Sequence, residues 1–173
     1  GGRDLEIGDL DCDGYNDLVM GKFPEPADDL WGDKDGIFRN VNGQHFEDKT
    51  DTWMPDDDLQ YWGLENEFSG WCTHALEIAD LDKDGFNDIL RGTPEAILLN
   101  NGTGQMIKHM NDCPTCFDSI HYWASSDGLE VADFNNDGNL DAVFVATNYH
   151  WPDNPIYPCV FLGDGNGNFE LLD

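Results

Sequence analysis

One nine-residue pattern occurs three times in this chain and limits its fold more than any other feature. It reads Asp9-Leu-Asp11-Cys-Asp13-Gly14-Tyr15-Asn-Asp17, then Asp80-Leu-Asp82-Lys-Asp84-Gly85-Phe86-Asn-Asp88, then Asp133-Phe-Asn135-Asn-Asp137-Gly138-Asn139-Leu-Asp141. Leu5-Glu6-Ile7, Leu76-Glu77-Ile78 and Leu129-Glu130-Val131 precede the loops, and Leu18-Val19-Met20, Ile89-Leu90 and Ala142-Val143-Phe144-Val145 follow them. Apolar residues alternating at period two mark strands, and no helical period runs over a useful length. Asp9 and Asp80 lie 71 positions apart, Asp80 and Asp133 lie 53 apart. Insertions of unequal length therefore separate common units.

A second element recurs after each loop. Ile37 to Phe46, Ile97 to Met106 and Val160 to Phe169 are apolar runs broken by Asn/Asp/Gly clusters, the signature of a hairpin. Each unit thus reads as strand, acidic loop, strand, insertion, strand, Gly-rich turn, strand. The expected fold is all-β, with β-propeller-type blades of four-stranded antiparallel sheets. One repeat domain spans 1–173, with units at approximately 3–50, 59–110 and 117–173. Closed propellers have about four to eight blades. Three units imply a partial propeller, or one completed by other chains through exposed blade edges.

The loops carry the chemistry. Calcium takes about six to eight oxygen ligands. Acids at loop positions 1, 3 and 5 turn inward when a glycine at position 6 bends the chain. Position 7 then offers a backbone carbonyl and position 9 a closing carboxylate. The candidate ligands are Asp9, Asp11, Asp13, Tyr15 and Asp17; Asp80, Asp82, Asp84, Phe86 and Asp88; and Asp133, Asn135, Asp137, Asn139 and Asp141. Three Ca2+ sites are expected, the third the weakest because Asn135 replaces an acid. An EF-hand is excluded, since it needs a Glu at position 12, where this chain has Met20, Arg91 and Phe144. Carboxylates crowded without a cation repel one another, so an ion-free acidic turn is the weaker reading.

The loops with their strand flanks, and the hairpins around Asn100-Asn-Gly-Thr-Gly and Gly163-Asp-Gly-Asn-Gly, resemble the calcium-binding repeats of the FG-GAP/VCBS class, as in integrin-α-like β-propellers. The resemblance covers about two-thirds of the chain. It implies an extracellular β-propeller with calcium held between the first strands of a blade. The Phe-Gly and Gly-Ala-Pro signatures are largely missing, which favours the VCBS-like side of the class.

Charge and motifs bound the remaining functions. Eight Lys+Arg against 36 Asp+Glu give a net charge of −28. That excludes ordinary binding to nucleic acid or anionic lipid, which needs clustered cations. No apolar run approaches the ~18 residues of a membrane span, and Gly1-Gly2-Arg3-Asp4 is no signal peptide. Five cysteines fit an oxidising compartment. Cys113-Pro-Thr-Cys116 reads as a short-loop disulfide, with a redox pair or half a zinc site as alternatives, and Asn101-Gly-Thr103 as a glycosylation sequon. The five histidines show no metalloprotease spacing, and no nucleophile elbow or P-loop occurs. Trp71 and Trp123 hold equivalent places and read as blade packing. Trp31, Trp53, Trp62 and Trp151, in or near the insertions, are candidates for stacking on sugars.

The expected function is a secreted, calcium-binding propeller repeat with a structural or adhesive role and a protein partner or self-association. The first alternative is a carbohydrate-binding, lectin-like propeller. The second is a polysaccharide-degrading enzyme, because carboxylate pairs abound.

Overall fold

The computed structural model describes residues 2–22, 35–55, 73, 75–92, 97–109, 124–148 and 158–172. Strands β1 (Gly2–Gly8), β2 (Asp17–Lys22), β3 (Gly36–Val41) and β4 (His45–Asp48) form the first sheet. One turn of helix, α1 (Thr50–Trp53), follows it. Strands β5 (Leu76–Ala79), β6 (Asp88–Arg91), β7 (Ile97–Asn100) and β8 (Met106–Lys108) form the second. Strands β9 (Ala124–Ala132), β10 (Asp141–Asn148), β11 (Pro158–Gly163) and β12 (Phe169–Leu171) form the third. Every neighbouring pair is antiparallel, and each sheet is a simple meander in chain order. The all-β expectation and the four-stranded sheets are what the chain forms. The segments that open the second and third units, 59–72 and 117–123, lie outside the described residues.

The three sheets share one register. Ile7, Leu18 and Phe38 pair across the first sheet as Ile78, Ile89 and Leu98 do across the second, and as Val131, Ala142 and Phe161 do across the third. Because side chains alternate across a strand, each sheet has two distinct faces. We call the face carrying this row the back face and the other the front face. The front of the first sheet (Val19, Ile37, with Leu10) packs on the back of the second (Leu76, Ile78, Ile89, Leu98, Met106). The front of the second (Leu90, Ile97, Leu99, with Leu81) packs on the back of the third (Leu129, Val131, Ala142, Phe144, Phe161, Phe169). Phe144 and Phe161 meet edge to face, centroids 5.3 Å apart. The second sheet is therefore covered on both sides, and its strand β6 is buried at every position.

Polar contacts tie the sheets as well. Arg91 and Asp35 form a buried ion pair at 3.3 Å, and the Thr73 hydroxyl donates to the same carboxylate at 2.8 Å. The Leu76 amide donates to Asp4 at 2.8 Å. The first strands of successive sheets, β1 with β5 and β5 with β9, lie side by side. This places Glu6, Glu77 and Glu130, one per repeat, within electrostatic reach of one another. Partial burial, and then Glu6 and Glu130, push Glu77 up to about 7.

Candidate functional site

The acidic loops share one backbone conformation. The fourth residue is left-handed in each, with φ of 57° at Cys12, 63° at Lys83 and 60° at Asn136. The sixth is Gly14, Gly85 or Gly138 at φ of 89°, 92° and 88°, where any Cβ is strained. The first acid clamps that glycine: Asp9, Asp80 and Asp133 accept its N–H at 2.9, 3.1 and 2.9 Å. The fifth acid accepts the N–H of the seventh residue, Tyr15, Phe86 or Asn139, at 3.0, 2.9 and 2.7 Å.

The ninth acid has a different task. Asp17, Asp88 and Asp141 are fully buried. One oxygen of each accepts the N–H of the loop's second residue: Leu10 at 2.9 Å, Leu81 at 2.8 Å, Phe134 at 2.8 Å. The other accepts an N–H from the third strand of the sheet: Asn40 at 2.8 Å, Asn100 at 2.8 Å, Gly163 at 2.9 Å. Each ninth acid thus staples the loop's entry to a strand two elements away. Burial raises Asp17, and raises Asp88 to about 7, against the opposing pull of those N–H bonds.

The strand residue that completes the staple is itself informative. Asn40 also donates its amide to the Asn16 carbonyl at 3.0 Å. Asn100 donates to the Asn87 carbonyl at 2.9 Å and, across the sheet interface, to the Leu10 carbonyl at 2.7 Å. In the third sheet the same place is Gly163, where a Cβ would lie 2.0 Å from the Leu140 carbonyl oxygen. The alignment of the second halves puts Asn40, Asn100 and Gly163 in one column, which is the signal that could have exposed this role.

Two of the loops converge on a point. Carboxylate oxygens of Asp9, Asp11 and Asp17 lie within 4.8 Å of one another, and so do those of Asp80, Asp82 and Asp88. One oxygen in each set, of Asp11 and of Asp80, is buried with no hydrogen-bond partner. A buried carboxylate oxygen without a donor is costly, and a hard cation satisfies it. The donor set and the orphaned oxygens therefore fit calcium. The fifth-position acids Asp13 and Asp84 stand outside these convergences.

The loops differ in what neutralises them. In the first, the Arg39 guanidinium donates to Asp11 at 2.5 Å and to Asp13 at 2.8 Å. The Asp11 bond raises the guanidinium's own affinity for its proton. In the third, the Asn135 amide donates to Asp137 at 2.9 Å, and the Asn139 N–H with that amide holds Asp137 below its usual range. The second loop has no such donor on its acids among the described residues. Desolvation, then Asp84 and Asp80, raise Asp82. Arg39 is invisible to a motif reading, since it stands 28 residues from Asp11 in the chain.

The other sequence candidates divide. Asn101 is exposed in the β7–β8 turn, and its side-chain Oδ1 accepts the Thr103 hydroxyl at 2.6 Å. Cys113 and Cys116 lie outside the described residues. Cys159, which the sequence left unassigned, is disulfide-bonded, and Cys12 is a free, exposed thiol. Trp53 is corrected from a sugar platform to a packing residue: it lies against the core between the first two sheets, its ring filling the space a Cβ at Gly104 would need. The other five tryptophans, and His74, His121 and His150, lie outside the described residues.

No helix among the described residues is long and apolar enough to cross a membrane. No family model matches the chain, and no curated protein matches it. Among solved structures it is similar to an Agrocybe aegerita lectin that recognises non-reducing terminal N-acetylglucosamine, with 22% identity and a TM-score of 0.54. The match covers 96% of this chain and 36% of the lectin chain, and at that identity the likeness is one of fold.

Proposed function

We propose that the chain is a carbohydrate-binding, β-propeller-type module whose blades are locked by calcium. The calcium reading rests on one observation above all: Asp80, Asp82 and Asp88 converge, with a buried Asp80 oxygen lacking any donor and no basic side chain on these acids among the described residues. Asp9, Asp11 and Asp17 would hold a second ion in competition with Arg39, and Asp133, Asn135, Asp137 and Asp141 a third. The bound ion neutralises the acids, and its binding energy becomes folding energy. The carbohydrate reading draws on the fold similarity to a lectin. We place the module outside the cell, where a disulfide at Cys159 persists and calcium is abundant.

Titration with Ca2+ followed by calorimetry and thermal melting tests the first half. A melting temperature unchanged by exhaustive chelation removes it. A glycan array probed with and without calcium tests the second half, and an array silent in both conditions removes that. An adhesive or structural role without sugar is the reading left if calcium stabilises the fold and no glycan binds.

A further inference from the structure

The two sheet interfaces are built from the same positions, and the two outermost faces repeat those positions in the open. On the back of the first sheet, Leu5, Ile7, Leu18, Met20, Phe38 and Phe46 occupy the register places of Leu76, Ile78, Ile89, Arg91, Leu98 and Met106 in the second sheet. The apolar members of that second set are in the core. Here Leu5 is 53%, Ile7 56% and Phe46 49% exposed. On the front of the third sheet, Phe134 stands where Leu10 and Leu81 are fully or almost fully buried, and it is 47% exposed. Val143 and Val160 share that face, in the places of Val19 and Ile37, while Val145, two residues on, lies exposed.

A front face and a back face of this kind already meet twice inside the molecule. We propose that they meet again between molecules: the front of the third sheet of one copy docks on the back of the first sheet of a second copy, and the reverse contact closes the pair. Two copies of three sheets each make a ring of six, inside the range of about four to eight blades that close. The contact is head to tail, so the two patches differ and each copy supplies one of each. Three exposed apolar side chains in one patch exceed what scattered surface residues explain, and continuity with the internal interfaces selects the occupant. At −28 per chain the copies repel one another; salt screens that repulsion, so the pair tightens as ionic strength rises.

Sedimentation of the full chain in calcium is the test. At about 50 µM, above the micromolar Kd that a standard-size interface reaches, the expected mass is twice the 19.4 kDa of the chain. The double variant Leu5→Lys/Ile7→Lys on the back face, and separately Val145→Lys on the front face, should each return the chain mass. Circular dichroism should stay as in the parent, because these side chains are exposed in the single copy, and the melt should match that of the parent diluted below its Kd, with the gain on adding calcium retained. A parent that sediments as a monomer overturns the proposal and leaves the face to a blade from a longer chain. Masses that keep growing with concentration overturn the closed pair. Loss of the dimer in the back-face variant alone overturns the head-to-tail contact in favour of back to back. None of these outcomes depends on whether glycan binds.

Discussion

Arg39 Nε lies 2.5 Å from an Asp11 carboxylate oxygen, inside the first acidic loop. A side chain from the third strand thus supplies to that loop a positive charge that the acids of the second loop lack among the described residues. The two arrangements meet at Asp11, which belongs to the convergent set and also accepts from Arg39.

Removing the internal cation should therefore sharpen the first site. Arg39→Gln is expected to tighten calcium binding there by roughly tenfold, the equivalent of about 1.4 kcal/mol for a charge-assisted pair. In chelator the same variant should melt lower than the parent, since Asp11 and Asp13 then face each other uncompensated. Calorimetric titration with the other loops disabled by Asp80→Asn and Asp133→Asn reads the affinity. An unchanged or weakened first site would show that Arg39 leaves the acids in place when calcium arrives. Across the parent, the second loop should be tightest and the third weakest.

The pH dependence of the calcium-free chain follows from Asp88. Burial raises its folded value to about 7 from 3.8. Between those values the unfolded chain has already lost the proton that the folded chain retains. Stability through this group is therefore fullest below pH 4 and falls as pH rises through 7. Calcium reverses the preference, because the ligand must be ionised. Melting in chelator should fall from pH 4.5 to 7.5, while the gain on adding calcium should grow over the same window. A calcium gain that shrinks with rising pH would contradict the assignment of Asp88.

Glu77 makes the same argument away from the loops. Partial burial and the neighbouring Glu6 and Glu130 hold it near 7. Its charge opposes folding above that value and is absent well below it. Glu77→Gln should raise stability at pH 8 by on the order of 1 kcal/mol once solvent screening is allowed for, and change it little at pH 4.5. Equal effects at both values would mean that packing, not charge, sets the response.

Gly163 tests the staple in the third sheet. A Cβ there would meet the Leu140 oxygen at 2.0 Å, a backbone atom with little room to yield. Gly163→Ala should cost about 1–3 kcal/mol and displace the N–H that Asp141 accepts. Denaturant unfolding measures the loss. At Asn40, the matching place in the first sheet, Asn40→Ala should cost less, since it removes two side-chain hydrogen bonds, to the Asn16 carbonyl and from the Gly43 N–H, at a partly exposed site and creates no clash.

The repeated loops and alternating flanks carried the sheet architecture into the open, because both are local. A strand's period and a left-handed glycine depend on residues a few positions apart. The acids that come together, the first, third and ninth of two loops, were legible for the same reason. Trp53 was misread because its environment is set by Gly104, 51 residues away in the chain. The ninth acids were read only as ligands, since the N–H groups they accept come from Asn40, Asn100 and Gly163 on another strand.

The amino-acid order alone determined that this chain makes β-sheet units joined by acidic turns, since pattern and turn chemistry act within one unit. Only the tertiary structure decided which loop holds an internal cation, which glutamates crowd together, and which apolar faces stay uncovered. Those outcomes turn on distances between units, and charge interaction and burial are fixed by distance in space, whatever the separation along the chain.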